Sequence, residues 1–306
     1  MISVIQLGTV DYATGLHLQE QLVDLRKEEK IGDVLLLLEH KSVITLGRNA
    51  KAANVIASPE LLTQRGVELF ECDRGGDVTF HGPGQLVGYP IFDLSGHATP
   101  DGKRKTLGAV EFVRRLEEVL IRTCADFAIP TKRLPGLTGV WTEVESNDAH
   151  IETAASAVQR SEASKLENDR EGPDFSRADI SPNEESALAA EGRSEAKIAA
   201  IGVHISRFVT SHGFALNVNT DLSYFNLIVP CGIMAKPVTS MQQELGRELE
   251  LNAVAESISR NFGTIFSSQM LWVETLEALL GHKVGVPAQR PAEFRKLHKE
   301  DDTTWA

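Results

Sequence analysis

The chain has 306 residues, 42% of them hydrophobic, enough for a sizeable core in one large domain or two ordinary ones. Its formal net charge of −12 argues against a nucleic-acid partner, because proteins that hold a phosphate backbone present a basic face. No run approaches the roughly 20 apolar residues of a membrane span, and MISVIQLGTVDYATG lacks the basic and long apolar regions of a signal peptide, so a cytoplasmic protein without a membrane partner is expected. Cys72, Cys124 and Cys231 are far apart and form no CxxC, which fits free thiols in a reducing compartment.

In chain order, Ser3 to Leu7 is a short apolar strand. Tyr12 to Glu29 has helical spacing, with Leu16, Leu18, Leu22 and Leu25 apolar. Val34 to Leu38 is an unbroken apolar run, as in a strand buried on both faces, and Val43 to Leu46 is placed to pair with it after the EHKS turn. Ser58-Pro59-Glu60 opens a helix, proline being tolerated at the first helical position. Val67 to Phe70 then leads into Asp73 to Pro90, DRGGDVTFHGPGQLVGYP, where Gly75, Gly76, Gly82, Gly84 and Gly88 sit among apolar residues. Glycine loses the most conformational freedom on folding, so this density implies backbone that bends sharply or approaches a ligand closely. The stretch reads as the wall of a site. Within it Val78 to His81 alternates, with Thr79 and His81 on one face and Val78 and Phe80 on the other; Leu86 to Leu94 continues as a strand.

Leu107 to Phe127 is the clearest helix, with Val113, Leu116, Leu120, Cys124 and Phe127 on one stripe. Leu137 to Thr142 is a short strand. From Glu143 to Glu195 the chain carries fourteen acidic and five basic residues, a net of −9. The stretch from about 145 to about 195 has almost no aromatic residue and too little apolar surface to offset its ordering entropy, so a disordered acidic insertion is expected there. Strand-like sequence resumes at Ile198 to Ile205, and Gly213 to Val218 follows Ser211-His212-Gly213. Ser240 with Gln243, or Thr239 with Gln242, fits a capping box. Leu251 to Phe266 is amphipathic, Met270 to Leu280 reads as a last helix ending at Gly281, and residues 286–306 read as a polar tail. Strands and helices alternate irregularly, which implies a mixed α/β fold.

Among the thiols, Cys124 lies on the apolar stripe of the best helix and reads as core, while Cys72 beside the glycine stretch is ambiguous. Cys231, between Pro230 and Gly232, is either a small buried hydrophobe or an exposed thiol near a helix start, where the dipole stabilises a thiolate. A cysteine nucleophile needs a base or a positive neighbour. His81, Lys197, His204 and His212 all stand near strand-like segments; from the residues alone His81 on the glycine strand is the better candidate, and Lys197, a lone lysine before a strand, reads as a solvated surface charge. There is no GxxxxGK[ST], HExxH or GxSxG.

The stretch DRGGDVTFHGPGQLVGYPIFDL closely resembles the signature of the lipoyl(octanoyl) transferases, the lipoate biosynthesis protein B family. EHKSVITLGR at 39–48, KIAAIGVHISRFVTSHGFALNVNTDLSYF at 197–225 and PCGI at 230–233 match the other family blocks in the same order. The departures are Lys41-Ser42, where the family often has Pro-Pro, and the long acidic segment. The resemblance implies an α/β fold of the mixed-sheet biotin/lipoate protein ligase-like type, one catalytic domain over 1–285 interrupted by the insertion. It implies transfer of an octanoyl group from octanoyl-acyl carrier protein to a lysine of lipoyl domains, those of 2-oxoacid dehydrogenase complexes and the glycine cleavage H protein, without cofactor or metal. By motif position the thioester-forming cysteine is Cys231 and its lysine partner is Lys197. The family's substrate-binding blocks fall on Arg74, Gly75, Gly76, Asp77, Val78, Thr79, Phe80 and His81, on Ala200, Ile201 and Gly202, and on Gly213, Phe214 and Ala215.

This chemistry needs an apolar acyl tunnel, for which Val78, Phe80, Ile201 and Phe214 are plausible lining, with His81 shaping the pocket rather than activating the thiol. Backbone N–H groups, of Gly76 or near Cys231, are candidates to hold the oxyanion. An acidic carrier protein would dock on a basic patch, for which Arg48, Lys51, Arg74, Lys103, Arg104, Lys105, Lys132 and Arg133 are the candidates. Two other readings compete. An ATP-dependent lipoate or biotin ligase on the same fold makes Cys231 superfluous, and a non-catalytic binder of acylated carrier proteins needs no nucleophile. Deleting residues 147–193 is expected to leave transfer largely intact and to strengthen carrier-protein binding at low salt; a deletion variant that no longer folds would refute the reading of this segment as a disordered insertion.

Overall fold

The computed structural model describes residues 1–97, 106–143, 195–229 and 236–280. Cys231 with its PCGI block, Lys103, Arg104 and Lys105, nearly all of the acidic 145–195 segment and the 286–306 tail lie outside the described residues. Eight strands form the main sheet and three a smaller one.

The chain begins with β1 (Ile2–Val10) and α1 (Tyr12–Lys27), whose first turn is closed by Asp11 accepting a hydrogen bond from the Thr14 N–H at 2.9 Å. β2 (Asp33–His40), β3 (Val43–Leu46) and α2 (Pro59–Gln64) follow. As the sequence implies, Ser58 caps α2 and Pro59 takes its first position. Next come β4 (Glu68–Glu71), β5 (Val78–His81), β6 (Gln85–Ile91) and α3 (Ala109–Asp126). After β7 (Thr131–Leu134) and β8 (Leu137–Thr142), the chain returns as β9 (Lys197–Ser206) and β10 (Val209–Asn217). It closes with α4 (Met241–Leu245), α5 (Leu251–Ile265), β11 (Met270–Trp272) and α6 (Glu277–Leu280). Ser240 caps α4 by accepting from the Gln243 N–H, while the Thr239 hydroxyl donates to Glu244 instead.

The large sheet runs β11-β1-β2-β6-β10-β9-β8-β7, with β11, β1 and β2 mutually parallel and every later pairing antiparallel. β2 sits near its centre. Leu35 and Leu37 face α3 and α5, where Phe112, Leu116, Ile258 and Phe262 pack; Leu36 and Leu38 face α1, where Leu18 and Leu22 pack. A fully buried leucine of this kind contributes about 1.5–3 kcal/mol, which is why the unbroken apolar run carries no polar face. The second sheet runs β4-β3-β5 over its own apolar cluster of Ile44, Leu62, Val78, Phe80, Phe225 and Leu227.

Three sequence expectations need correction. β3 does not pair with β2: β1 and β6 already occupy both edges of β2, so β3 forms the small sheet with β4 and β5. Met270 to Leu280 is not one helix. The outer edge of β1 takes Met270–Trp272 as a parallel strand, and only Glu277–Leu280 is helical. β10 begins at Val209, so Ser211-His212-Gly213 lies inside the strand, with His212 at φ +55°. β7, reading TKRL, is an edge strand whose half-exposed Lys and Arg hid it from apolar patterning.

β10 and β6 approach so closely that a Cβ on Gly213 would overlap the Gly88 carbonyl oxygen and stand 2.6 Å from Pro90 Cδ. Both obstacles belong to backbone or a rigid ring, so Gly213→Ala is expected to destabilise the fold by at least about 2 kcal/mol in urea titration. Gly32→Ala, with nothing within 4 Å of the added methyl, is the control and should stay within about 0.5 kcal/mol of the parent.

Candidate active site

The glycine stretch folds as a loop laid across the middle of β9. Gly75 N–H donates to the Val203 carbonyl at 3.1 Å, and a Cβ on Gly202 would come within 2.6 Å of the Gly75 carbonyl oxygen. Gly76 adopts φ +93°, a conformation that side chains resist. Arg74 anchors this loop to the small sheet. Its guanidinium donates to the Thr45 carbonyl at 2.6 Å, to Thr45 Oγ1 at 3.1 and 2.9 Å, and to the Gly75 carbonyl at 3.1 Å. Asp77 accepts from the Val78 N–H and from Asn54 Nδ2, which holds the start of β5.

Between this loop and the large sheet lies a cavity of about 490 Å³. Arg74, Gly75, Gly76, Asp77, Thr79 and His81 line one wall. Ala200, Ile201 and Gly202 of β9 and Gly213, Phe214 and Ala215 of β10 line the facing wall, and Lys197 at the start of β9 also borders it. Val78 and Phe80 do not line it. Strand alternation turns both into the cluster beneath the small sheet, where Phe80 stacks on Tyr224 with centroids 4.8 Å apart. Apolar lining comes instead from Ile201, Phe214, Val87, Val113 and Leu137.

One region of the wall is a buried polar cluster. His40 has a single acceptor at Nδ1, the Val10 carbonyl at 2.9 Å, so its proton sits there and Nε2 accepts from the Tyr89 hydroxyl at 2.6 Å. Gln85 Nε2 donates to the Phe80 carbonyl and to Asn217 Oδ1, which leaves Oε1 to accept from His81 Nδ1–H at 2.7 Å. Both histidines are therefore neutral. Burial pushes His40 down to about 4, and burial with the nearby His40 pushes His81 down to about 3. Burial likewise raises the Tyr12 and Tyr89 hydroxyls above their ordinary value. His212 donates through Nε2 to Asp73 Oδ1 at 2.7 Å, and its backbone N–H donates to Gln19 Oε1 at 2.7 Å. Burial lowers His212 against the opposing pull of Asp73; at Asp73 burial is outweighed by that same hydrogen bond and the carboxyl is held low. His204 accepts from Arg48 at 2.6 Å and lies 3.5 Å from Asp73.

Lys197 is held from both sides. It registers opposite Trp141 of β8, its N–H donates to the Pro237 carbonyl at 2.8 Å, and its carbonyl accepts from the Thr239 N–H at 2.9 Å. The residue is only 8% exposed. Cys124 packs in the main core, where burial pushes its thiol up to about 12, so it is inert at neutral pH. Cys72 is half-buried, its thiol 3.5 Å from the Leu46 carbonyl. Among the described residues no group of three or more His, Cys, Asp or Glu is placed to hold a metal ion.

Of the basic-patch candidates, Lys103, Arg104 and Lys105 lie outside the described residues and two others are already engaged. Arg74 is buried in its clamp, and Arg133 is engaged by Glu117 and Glu118. Arg48 and Lys51 are exposed. Sequence reasoning also passed over Tyr12, Asn49, Tyr89 and Val113 as cavity residues. For Tyr89 a signal existed, since it alternates with Val87 on one face of β6; Val113 and Leu137 look like any other core residue.

A family model described as the lipoyl protein ligase A/B catalytic domain matches residues 11–263. The octanoyltransferase of Koribacter versatilis is 54% identical over 301 residues, which cover 98% of each chain. That of Acidobacterium capsulatum is 48% identical over 282 residues, 92% of this chain and 96% of the relative. Among solved structures, a putative lipoate protein ligase from T. acidophilum with bound lipoic acid aligns at TM-score 0.53 and 14% identity, covering 91% and 92% of the two chains. Lipoate-protein ligase A bound with ATP aligns at TM-score 0.52 and 13% identity, covering 92% of both. These two likenesses concern the fold alone, the mixed-sheet α/β architecture that the motifs implied. No helix among the described residues is long and apolar enough to cross a membrane.

The neutral histidines set a pH dependence of stability. An unfolded histidine titrates at about 6.5, so above that pH neither state binds the proton and these residues contribute nothing. Below it the unfolded chain takes up protons that folded His40 and His81 refuse, down to about 4 and about 3. Stability should therefore fall on acidification from about pH 6.5 to 4, by up to about 1.4 kcal/mol per pH unit for each histidine. Urea midpoints at pH 7, 6 and 5 should show a shallower slope in His40→Gln than in the parent; equal slopes would mean that His40 is not held neutral.

Proposed function

We propose the following reaction for this chain, which belongs to the octanoyltransferases of the lipoyl protein ligase A/B catalytic-domain family. An octanoyl group passes from octanoyl-acyl carrier protein to a lysine of a lipoyl domain through a thioester on Cys231, with Lys197 as the proton partner. The observation that carries this reading is the placement of Lys197. It is buried, fixed on both sides by backbone hydrogen bonds, and borders the same cavity as Ala200 to Gly202 and the Arg74 to His81 wall. Lys236, five positions after Cys231 in the chain, meets the same Trp141 ring as Lys197.

The chemistry runs in two halves. Lys197 takes the Cys231 thiol proton, the thiolate attacks the carrier thioester carbonyl, the tetrahedral oxyanion collapses, and the carrier thiolate leaves with that proton returned from Lys197. The lipoyl-domain amine then attacks the Cys231 thioester, passes its proton to Lys197 and restores the cysteine thiolate. The acyl chain lies along the apolar lining of Ile201, Phe214, Val87 and Leu137. Each buried methylene contributes about 0.8 kcal/mol, so the length of the apolar wall sets the preferred chain. The neutral His81 suits this site, because a charged imidazole beside an acyl chain would carry an unmet desolvation cost. The acceptors are the lipoyl domains of 2-oxoacid dehydrogenase complexes and the glycine cleavage H protein, in the cytoplasm. The acidic 145–195 segment is an insertion in this one catalytic unit.

Incubation with octanoyl-acyl carrier protein in the absence of ATP should place one octanoyl group on the Cys231 peptide by mass spectrometry, and added lipoyl domain should discharge it. Cys231→Ala should abolish the adduct, and Lys197→Ala should slow both halves by about a hundred-fold or more. No adduct without ATP, and modification of the lipoyl domain with it, would favour the ligase chemistry instead.

A further inference from the structure

Trp141 is the largest fully buried side chain in the fold and is 1% exposed. Its indole N–H finds no hydrogen-bond partner among the described residues. What it does have is two cations on its π-system. Lys197 Nζ stands 4.8 Å from the ring centroid and Lys236 Nζ 5.6 Å, both within the roughly 6 Å over which a ring face attracts an ammonium. The backbone makes this contact a fixed feature. Trp141 and Lys197 are cross-strand partners in the β8–β9 register, so their side chains rise from the same face. The space beside them is kept open by Gly139, at φ +118°, where a Cβ would come within 3.6 Å of Lys197 Cε and 2.6 Å of the Ala199 carbonyl oxygen.

We propose that Trp141 is the positioning residue for Lys197: its indole face fixes where the ammonium stands, and Lys236 stands against the same ring as a second cation. The inference rests on the reading of Lys197 as the proton partner of Cys231. A buried ammonium on a four-carbon stem has many rotamers, and a lone hydrogen bond leaves most of them open. A ring face attracts an ammonium over its whole area, which favours the Lys197 rotamers that stand over the indole. The other charged side chains on the elements packed here are Lys132, opposite Trp141 on β7; Glu117 of α3, which accepts from the Gly139 N–H and pairs with Arg114 and Arg133; Glu244 of α4, which accepts from Thr239; and Glu143 and Glu195 at the ends of the flanking strands.

The test replaces Trp141 with tryptophans carrying one to four fluorines, which drain the negative ring face while keeping its shape, in a Trp272→Phe, Trp305→Phe background so that Trp141 is the only tryptophan. Two readouts are followed. The first is the rate of Cys231 octanoylation from octanoyl-acyl carrier protein. The second is modification of the Lys197 amine by acetic anhydride at fixed pH, mapped by peptide mass and independent of transfer. Across the series the first should fall and the second rise in even logarithmic steps, by about ten-fold in total, with the thermal midpoint unmoved. Trp141→Phe should retain part of the native rate and Trp141→Leu lose it. Both readouts flat through the series would overturn the inference while leaving octanoyl transfer standing. If the parent never acylates Cys231, the proposed reaction falls, and the Lys197 readout alone decides whether the ring holds the lysine.

Discussion

The site depends on one close contact, the seating of Gly75 on β9 at Gly202 and Val203. Two backbones meet there with no side chain between them: one N–H donates across the gap, and a methyl on either glycine would crowd a carbonyl oxygen. The contact lays the 73–77 loop over the sheet, and the cavity is the space left beside it. Arg74 makes that seating rigid. Its guanidinium reaches back to Thr45 on β3, so the loop is fastened to both sheets at once. This explains why the first arginine of the stretch is buried rather than offered to an acidic partner. A substrate-facing role for Arg74 is confined to whatever its Nη1 edge shows to the cavity, since the rest of the fork is already engaged.

The wall divides its polarity along its length. His40, His81, Tyr12 and Tyr89 form a dense cluster, tied by the His40–Tyr89 hydrogen bond and anchored to the Val10 carbonyl and Gln85, whose members are all uncharged at neutral pH. Lys197 lies on the same strand as Ala200 to Gly202, six residues before Val203, so in an extended strand it stands roughly 20 Å from the Gly75 contact. A histidine at the Lys197 position would titrate across neutral pH. His40 and His81 are placed where burial removes that behaviour.

Much of this was readable from residue order. The alternation over Val78 to His81 correctly separates the side chains that face the cavity from those that face the small core, and the unbroken run at Val34 to Leu38 is the doubly buried strand it resembles. The assignment of Val78 and Phe80 to the acyl lining failed against that same alternation, because a motif names a stretch whereas a strand offers only every second residue of it. The β3 pairing failed for a different reason. Adjacency in sequence favours pairing, but both edges of β2 were taken by β1 and β6, which a local pattern does not reveal. Met270–Trp272 became a strand because β1 had an open parallel edge; the stretch itself carries too few residues to express either period.

Trp141 shows where motif reading ends. Nothing around it signals chemistry: GVWT is an ordinary apolar strand end, and a buried tryptophan is by default a core residue. Its relation to Lys197 exists only through strand register, across more than fifty intervening residues that include the acidic segment. The register of β8 on β9 is set by the residues that flank that segment. The Thr142 N–H bonded to the Ala196 carbonyl at 2.9 Å, with the Ala196 N–H returned to the Thr142 hydroxyl at 3.1 Å, ties the two ends of that segment together immediately beside Trp141 and Lys197. The same tie between the ends of β8 and β9 therefore also holds the lysine opposite its ring.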